Sequence, residues 1–474
     1  MPDFDLIVRN GTVVTASDTT RCDIGVRGGK IVALAERLDG AARVIDASGR
    51  HVLPGGVDGH CHLDQPMSDG SRMADDFATG TVAAACGGTT TVIPFACQAK
   101  GDSLIAAVED YHRRADGKAL IDYAFHLIVT DPSPRVLREE LPHLIAEGYT
   151  SFKIYMTYDD LKLNDRQILE VLALARREGA MVMVHAENSD CIAWLTEVLE
   201  SAGHTAPAFH ATSRPMAVER EATHRAIALS ELADVPVLIV HVSGREAVEQ
   251  IQWAQNRGLR VYAETCPQYL YLTAEHLATP GFDGAKCICS PPPRDAANQE
   301  VIWDALASGV FQVFSSDHAP FRYDDPQGKM VKGKSAAFRY VPNGVPGIET
   351  RLPLLFEGVA QQRITINQFV ALTATNAAKT YGLYPRKGTI AVGSDADLAI
   401  WDTQREVTIS NALLHHNVDY TPYEGIAVRG WPETVISRGE IVAQHGVPAG
   451  AAGRGIFLPC ARPDAARPKK AASR

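Results

Sequence analysis

Between about residue 54 and residue 387 the chain alternates short, almost wholly apolar runs with longer segments whose apolar residues fall at helical spacing. The apolar runs are Val57–His60, Thr89–Phe95, Tyr123–Val129, Ser151–Tyr155, Met181–His185, Val237–His241, Val261–Thr265 and Val313–Ser316. Runs this short and continuous fit strands buried on both faces, and intervening segments such as Asp165–Glu178 and Glu246–Arg257 carry the helical period. Repeated strand-then-helix units of this kind predict an α/β fold, a TIM-like (β/α)8 barrel over 54–387, with a doubly wound sheet as the competing arrangement.

The flanks have a different period. Residues 1–53 contain alternating runs at Phe4–Arg9, Thr12–Thr15, Asp23–Arg27 and Lys30–Leu34, punctuated by Asn10-Gly11 and Gly28-Gly29, which read as hairpin turns. A second strand-rich stretch, 388–448, offers Gly388–Gly393, Asp397–Trp401, Thr434–Gly439 and Ile441–Ala443. Neither stretch is long enough to bury a good core alone. The expectation is one small β-sandwich built from both chain ends, with the barrel inserted between them. Residues 449–474, rich in Ala, Gly and Pro and ending Pro468-Lys-Lys-Ala-Ala-Ser-Arg, read as a flexible or subunit-contacting arm.

Composition narrows the function classes. The 474 residues carry a net charge of −10, which disfavours a nucleic-acid surface. No apolar run approaches the roughly 18 residues needed to span a membrane. The start, Met-Pro-Asp-Phe-Asp, lacks the basic and apolar regions of a secretory signal. The nine cysteines are scattered without a Cys-x-x-Cys pair, as in a reduced, cytoplasmic protein.

The chemistry lies at the strand ends. The first predicted strand runs into His60-Cys61-His62, and residues two apart on a strand point to the same side, so both imidazoles can converge on one metal ion. The fourth strand holds Lys153, the fifth ends in His185, the sixth in His241, and the eighth runs into Asp317 and His318. Singly, each has an ordinary explanation: a core histidine, a snorkelling lysine, a helix-capping aspartate. Together they predict a metal site, because a barrel gathers all its strand ends at one face. Lys153 among cations would lose its proton readily, and a neutral amine can add carbon dioxide to form a carbamate able to bridge two metals.

The segments Pro54-Gly-Gly-Val-Asp-Gly-His-Cys-His, Ala84-Ala-Cys-Gly-Gly-Thr-Thr-Thr, Ser151-Phe-Lys-Ile-Tyr-Met, Val184-His-Ala-Glu-Asn, Ile239-Val-His-Val-Ser, Ala263-Glu-Thr-Cys-Pro-Gln-Tyr-Leu, Ser290-Pro-Pro-Pro-Arg, Ser315-Ser-Asp-His, Pro342-Asn-Gly-Val-Pro-Gly and Gly388-Thr-Ile-Ala-Val-Gly-Ser-Asp-Ala-Asp-Leu resemble the hydantoinase/dihydropyrimidinase branch of the amidohydrolase superfamily. The resemblance covers nearly the whole chain. It implies hydrolytic ring opening of hydantoins or dihydropyrimidines to N-carbamoyl amino acids, with a cyclic imidase or an allantoinase as alternatives. It implies two divalent metals, zinc first and manganese or cobalt next, with His60, His62 and Asp317 on one and His185 and His241 on the other. Lys153, as N6-carboxylysine formed with carbon dioxide, would bridge them together with a hydroxide. Asp317 would shuttle the proton, Tyr158 would stabilise the oxyanion, and backbone groups at Ser290 and Asn343 would read the imide edge of the ring. Met67, Phe95 and Tyr155 are candidate apolar walls for the substrate, and Glu187 and His318 supporting residues. The resemblance also implies a homotetramer or homodimer, with Gly453-Arg-Gly-Ile-Phe-Leu matching an arm that lies on a neighbouring subunit.

Two departures bear on the substrate. Relatives that open dihydroorotate carry an arginine two residues past the second histidine, where this chain has Asp64, a charge expected to repel an anionic ring. Gln65 and Met67 stand where relatives often have Met and Phe, which weakens the expectation of a bulky aromatic substituent. Two other classes fit less well: the non-enzymatic collapsin response mediator proteins, which lack several metal-site residues that this chain has, and one-metal deaminases, which need no bridging lysine.

Overall fold

The computed structural model describes residues 2–467. The basic end of the expected arm, Pro468–Arg474, lies outside them.

Both chain ends build the sandwich. One sheet is wholly N-terminal, in the order Lys30–Ala35, Asp23–Arg27, Phe4–Arg9, Ala41–Asp46. The other is mixed: Glu440–Gln444, Ala427–Ser437 and Leu398–Thr408 from the C-terminal half pair on to His51–Pro54, Thr12–Val14 and Thr19–Arg21. The joint is antiparallel, with Leu398 opposite Pro54 and Ile400 opposite Val52. Leu6, Val8, Ile24, Val26 and Val52 pack against Leu398, Ile400 and Ile436 in one buried cluster. Each such side chain withdrawn from water contributes roughly 1.5–3 kcal/mol, so neither half keeps its core without the other. The expected strand Gly388–Gly393 is instead a turn. Gly388 and Gly393 both take positive φ, which reverses the backbone, and Ile390 still reaches the sandwich core.

The middle of the chain is a parallel barrel. Thr89–Cys97 pairs with Gly56–Cys61 on one side and with His126–Ile128 on the other. The sheet continues through Ser151–Tyr155, Met181–His185, Val237–Ile239, Val261–Thr265 and Val313–Phe314. Closure between the last and first strands is made by polar groups rather than by a long ladder. Asp317 N–H donates to His60 C=O at 2.8 Å, His62 N–H to His318 C=O at 2.7 Å, and Ser316 N–H to the buried Asp58 carboxylate at 3.1 Å. Ser316 therefore leaves the expected strand Val313–Ser316 to meet Asp58, while Ser315 N–H still donates to Thr265 C=O at 3.2 Å.

The helices follow their sequence signals. Asp165–Glu178 starts at a capping box, Asn164 with Gln167, and stops at Gly179 in the left-handed conformation. Its buried residues Ile168, Val171, Leu172 and Ala175 form one stripe at helical spacing, facing the barrel.

The run expected as one strand, Tyr123–Val129, is split into Asp122–Tyr123 and His126–Ile128. From His126 onward the outer edge pairs with Ser151–Tyr155, but at Tyr123 the C-terminal tail takes that place. Tyr123 N–H donates to Ile456 C=O at 3.1 Å, and Leu458 N–H donates to Tyr123 C=O at 2.7 Å. Farther on, Cys460 N–H reaches Gly148 C=O and Ala461 N–H reaches Gly382 C=O, both at 2.9 Å. The contact at Gly382 is so close that a Cβ there would lie 1.7 Å from the Ala461 oxygen, so only glycine fits. Residues 455–461, expected as a flexible or subunit-contacting arm, thus lie along their own barrel, with Leu458 buried.

Candidate metal centre and substrate cavity

The strand ends bring the predicted residues together. His60 closes the first strand, Lys153 sits at the centre of Ser151–Tyr155, and His185 ends Met181–His185. His241 and Asp317 follow their strands by two and three residues, each with positive φ (40° and 47°), a bend that re-aims the side chain toward the barrel mouth. His60 Nε2 lies 3.2 Å from Asp317 Oδ1, and His62 Nε2 lies 3.5 Å from the same oxygen. These three side chains place one ligand atom each within 4.8 Å of one another. The His185 and His241 rings stand 4.4 Å apart by centroid, and His241 and His60 5.4 Å. Lys153 Nζ is 2.8 Å from His60 Nε2, between the two groups.

Three of the four histidines have a partner that fixes one ring nitrogen. His60 Nδ1 lies 2.6 Å from Glu264, His62 Nδ1 2.7 Å from Gln65, and His185 Nε2 2.8 Å from Glu187. Such partners set the tautomer and turn the other nitrogen toward a metal. Nδ1 of His241 is buried with no hydrogen-bond partner, an unmet demand that a metal satisfies. Lys153 is 1% exposed, makes no direct ion pair among the described residues, and lies over the rings of Phe95 and Tyr155 at 4.7 and 4.8 Å. Burial pulls its pKa down to about 8, with Asp317 and Glu264 opposing the shift. Burial also resists ionisation of Asp317, but His60, His62 and His241 outweigh it and hold the carboxyl well below its usual range. The donor set of imidazoles, one carboxylate and one neutralisable amine fits divalent metals of the zinc class.

A cavity of about 610 Å³ opens from this centre, lined by Tyr155, Tyr158, Ser290, Asn343 and, on its apolar side, Met67, Met73 and Phe321. Tyr158 takes positive φ (67°), which tips its ring over the Arg214 guanidinium at 5.6 Å. Burial, against the pull of Arg214, raises its pKa to about 12. Ser290 Oγ and Asn343 Oδ1 are buried without partners.

Two expectations are corrected. Phe95 is not a cavity wall: it is fully buried beneath the centre, stacked on His62 at 5.1 Å and edge-on to His60 at 4.9 Å. Asp64 does not face the cavity, because Arg114 holds it at 3.2 Å. It offers an anionic ring no repulsion there. His318 and Glu187 sit outside the metal-facing set. His318 bonds Asp75 at 3.1 Å and accepts from Gly347 N–H, and Glu187 joins His185 to Arg214 at 2.9 Å. A second cluster, Cys86, Glu349 and His415, is accounted for by the Glu349–His415 ion pair at 2.8 Å.

Glu264, Gln268 and Arg214 are the site residues without an assigned role in the sequence reading. Glu264 is the penultimate residue of Val261–Thr265, as His60 is of Gly56–Cys61, so it carried the same signal. Gln268 donates to Asp317 Oδ2 at 3.4 Å.

The amidohydrolase family model matches residues 51–442, the barrel and the C-terminal half of the sandwich. A D-hydantoinase of Ralstonia pickettii is 46% identical over 456 residues, 96% of this chain and 98% of its own length. This chain belongs to the hydantoinase/dihydropyrimidinase branch of the amidohydrolase family. Another member, the D-hydantoinase of Geobacillus stearothermophilus, is 47% identical over 95% of this chain and 96% of its own. Among solved structures of the family, the dihydropyrimidinase of Brevibacillus agri NCHU1002 superposes with a TM-score of 0.93 at 46% identity, covering 96% of this chain and 98% of that one. The matched region therefore includes every strand end from His60 to Asp317. No helix among the described residues is long and apolar enough to cross a membrane.

Proposed function

We propose that this amidohydrolase opens the ring of hydantoins or dihydropyrimidines by hydrolysis, giving N-carbamoyl amino acids. The names of its full-length relatives support the reaction class. The observation that carries the reading is Lys153, a buried amine amid four histidines with no direct ion pair. A permanent ammonium there is unfavourable, whereas a neutral amine can attack carbon dioxide, lose a proton and become an anionic carbamate.

His60, His62 and Asp317 would hold one metal and His185 and His241 the other, with N6-carboxylated Lys153 between them; zinc suits the donors best, then manganese or cobalt. Bound there, the metals supply Lewis acidity, lowering the pKa of water and polarising the ring carbonyl. Asp317 accepts the proton of the attacking water and returns it to the leaving ring nitrogen. Tyr158, protonated at neutral pH because its pKa is raised to about 12, donates its O–H to the carbonyl oxygen as charge develops. Backbone groups at Ser290 and Asn343 orient the ring, and Met67 and Tyr155 flank the exocyclic group. A cavity of about 610 Å³ leaves ample room beyond one small ring, and its Met-rich side adapts to flexible substituents.

The free state of all nine cysteines supports a cytoplasmic enzyme. The family resemblance supports a homotetramer, which light scattering tests directly; a monomer mass ends that idea.

The deciding experiment is metal content by plasma mass spectrometry, together with hydrolysis of hydantoin, dihydrouracil, succinimide and allantoin. About two metals per chain and turnover of hydantoin or dihydrouracil are expected. Turnover of succinimide or allantoin alone moves the chain to the cyclic imidases or allantoinases. Metal-free, inactive protein after zinc and bicarbonate are supplied overturns the reading.

A further inference from the structure

We propose that Lys329 is a positioning residue that sets the ring-reading edge of the cavity, acting through the backbone on either side of Asn343 and ahead of Ser290. This deepens the ring-opening reading above and rests on it.

Lys329 does not line the cavity. It stands behind it, 1% exposed. Its ammonium donates to three backbone carbonyls: Pro342 at 2.7 Å, Gly344 at 2.7 Å and Ile288 at 3.0 Å. An ammonium has three N–H donors and no acceptor, so these three carbonyls saturate it. Burial pulls its pKa down to about 7, with the Cys289 and Cys287 thiols opposing the shift, so the three carbonyls are what favours the charged form. Burying a cation with only carbonyl dipoles for company is costly. A surface lysine contributing nothing to the site would be left in water.

The carbonyls it takes are informative. Pro342 and Gly344 bracket Asn343, and Ile288 lies two residues before Ser290. Ile288 C=O also accepts from Gly344 N–H at 3.0 Å, so the two segments are tied to each other and to Lys329 at one point. With the flanking carbonyls turned back toward Lys329, the peptide groups of Asn343 itself make no hydrogen bond with another backbone group among the described residues. They are left facing the cavity that Asn343 lines. Tight packing limits slippage: Gly344 sits so close to Ala319 that a Cβ there would lie 2.2 Å from the Ala319 Cβ. Lys329 is itself anchored, its N–H donating to Arg322 C=O at 2.8 Å. Without the ammonium, the Pro342 and Gly344 carbonyls lose their donor and Ile288 C=O keeps only Gly344 N–H, so the peptides around Asn343 are held less firmly. The metal ligands lie on other segments, and the link to Asp317 runs through Ala319, whose N–H donates to Val345 C=O at 3.1 Å.

The test is steady-state kinetics of Lys329→Met and Lys329→Gln on hydantoin and dihydrouracil, beside the unmodified enzyme, with metal content and circular dichroism on each. The expected result is native metal content and fold, KM raised at least about 10-fold, and kcat changed by less than about 3-fold, because ring binding is lost while the reacting groups stay in place. The Gln variant, which keeps two N–H donors, should fall between the others; it carries the same readout if the Met variant does not fold. KM within about 2-fold of the unmodified enzyme in the folded variants, or kcat lost at constant KM, overturns the proposal. Turnover by the unmodified enzyme with unmoved KM in the variants removes the role of Lys329 alone. Failure of the unmodified enzyme to open any ring removes the ring-reading edge, and this role with it.

Discussion

Glu264 and His60 meet at 2.6 Å, Oε1 to Nδ1, with both side chains fully buried. The same oxygen accepts the backbone N–H of His241 at 3.2 Å, so one carboxylate holds a histidine from each half of the candidate metal centre. Glu264→Ala removes both supports at once. Metal affinity, read by chelator competition, should drop about 10- to 100-fold. Unchanged affinity would reduce Glu264 to a packing residue.

Asp317→Asn keeps one oxygen near His60 and His62 but cannot take up a proton in the same way. Ring opening should fall by roughly 10²–10⁴-fold while part of the metal is retained. Near-native turnover would remove Asp317 as the base.

Tyr158→Phe leaves the ring edge-on to His185 and deletes one O–H. A loss of roughly 10²–10³ in kcat with native metal content is the expected outcome. A change confined to KM would mean that Tyr158 shapes the cavity without stabilising charge.

Lys387 is 1% exposed and meets Asp122 and Asp397, each at 2.7 Å, and Asp395 at 3.1 Å, at the junction of barrel and sandwich. Burial opposes its charge, but Asp397, Asp122 and Asp395 outweigh this and raise its pKa to about 12, from 10.5. Its contribution to stability is therefore complete below pH 10.5 and is lost as pH rises through about 12. For Asp395, burial is outweighed by Lys387, Lys30 and Arg386, and its pKa falls from 3.8 to about 2. Its contribution is present above pH 3.8 and fades as pH drops through about 2. Lys387→Met strands buried carboxylates and should cost about 3–5 kcal/mol between these limits. Thermal melts of both proteins from pH 3 to 10 check this; equal Tm at pH 7 would contradict it.

Much of the site was legible because a barrel turns strand order into spatial proximity. An apolar run ending in His or Asp is visible locally, and His60, His62, His185, His241 and Asp317 all announce themselves this way. Phe95 shows the limit. Alternation along its strand correctly points it inward, but says nothing of depth, and the side chain lies one layer below the cavity, under the imidazoles. Asp64 fails for a different reason: its partner, Arg114, sits fifty residues away on another element. Lys329 is harder still. It lies in a polar loop, and its three acceptors are backbone atoms 13, 15 and 41 residues distant, which leave no trace in residue type. The tail misled through composition, since Gly and Ala read as flexibility but here permit close backbone approach.

That tail has a consequence for how the chain is made. Ile456 N–H donates to the Asp122 carboxylate across 334 residues of sequence, and Leu458 covers the strand edge at Tyr123. Every barrel strand leaves the ribosome well before this segment does. Domains begin folding from the N-terminal side during synthesis. The nascent barrel must therefore carry an open edge at its third strand until residues 456–458 have emerged, and a ribosome stalled near residue 450 would present that edge to other chains.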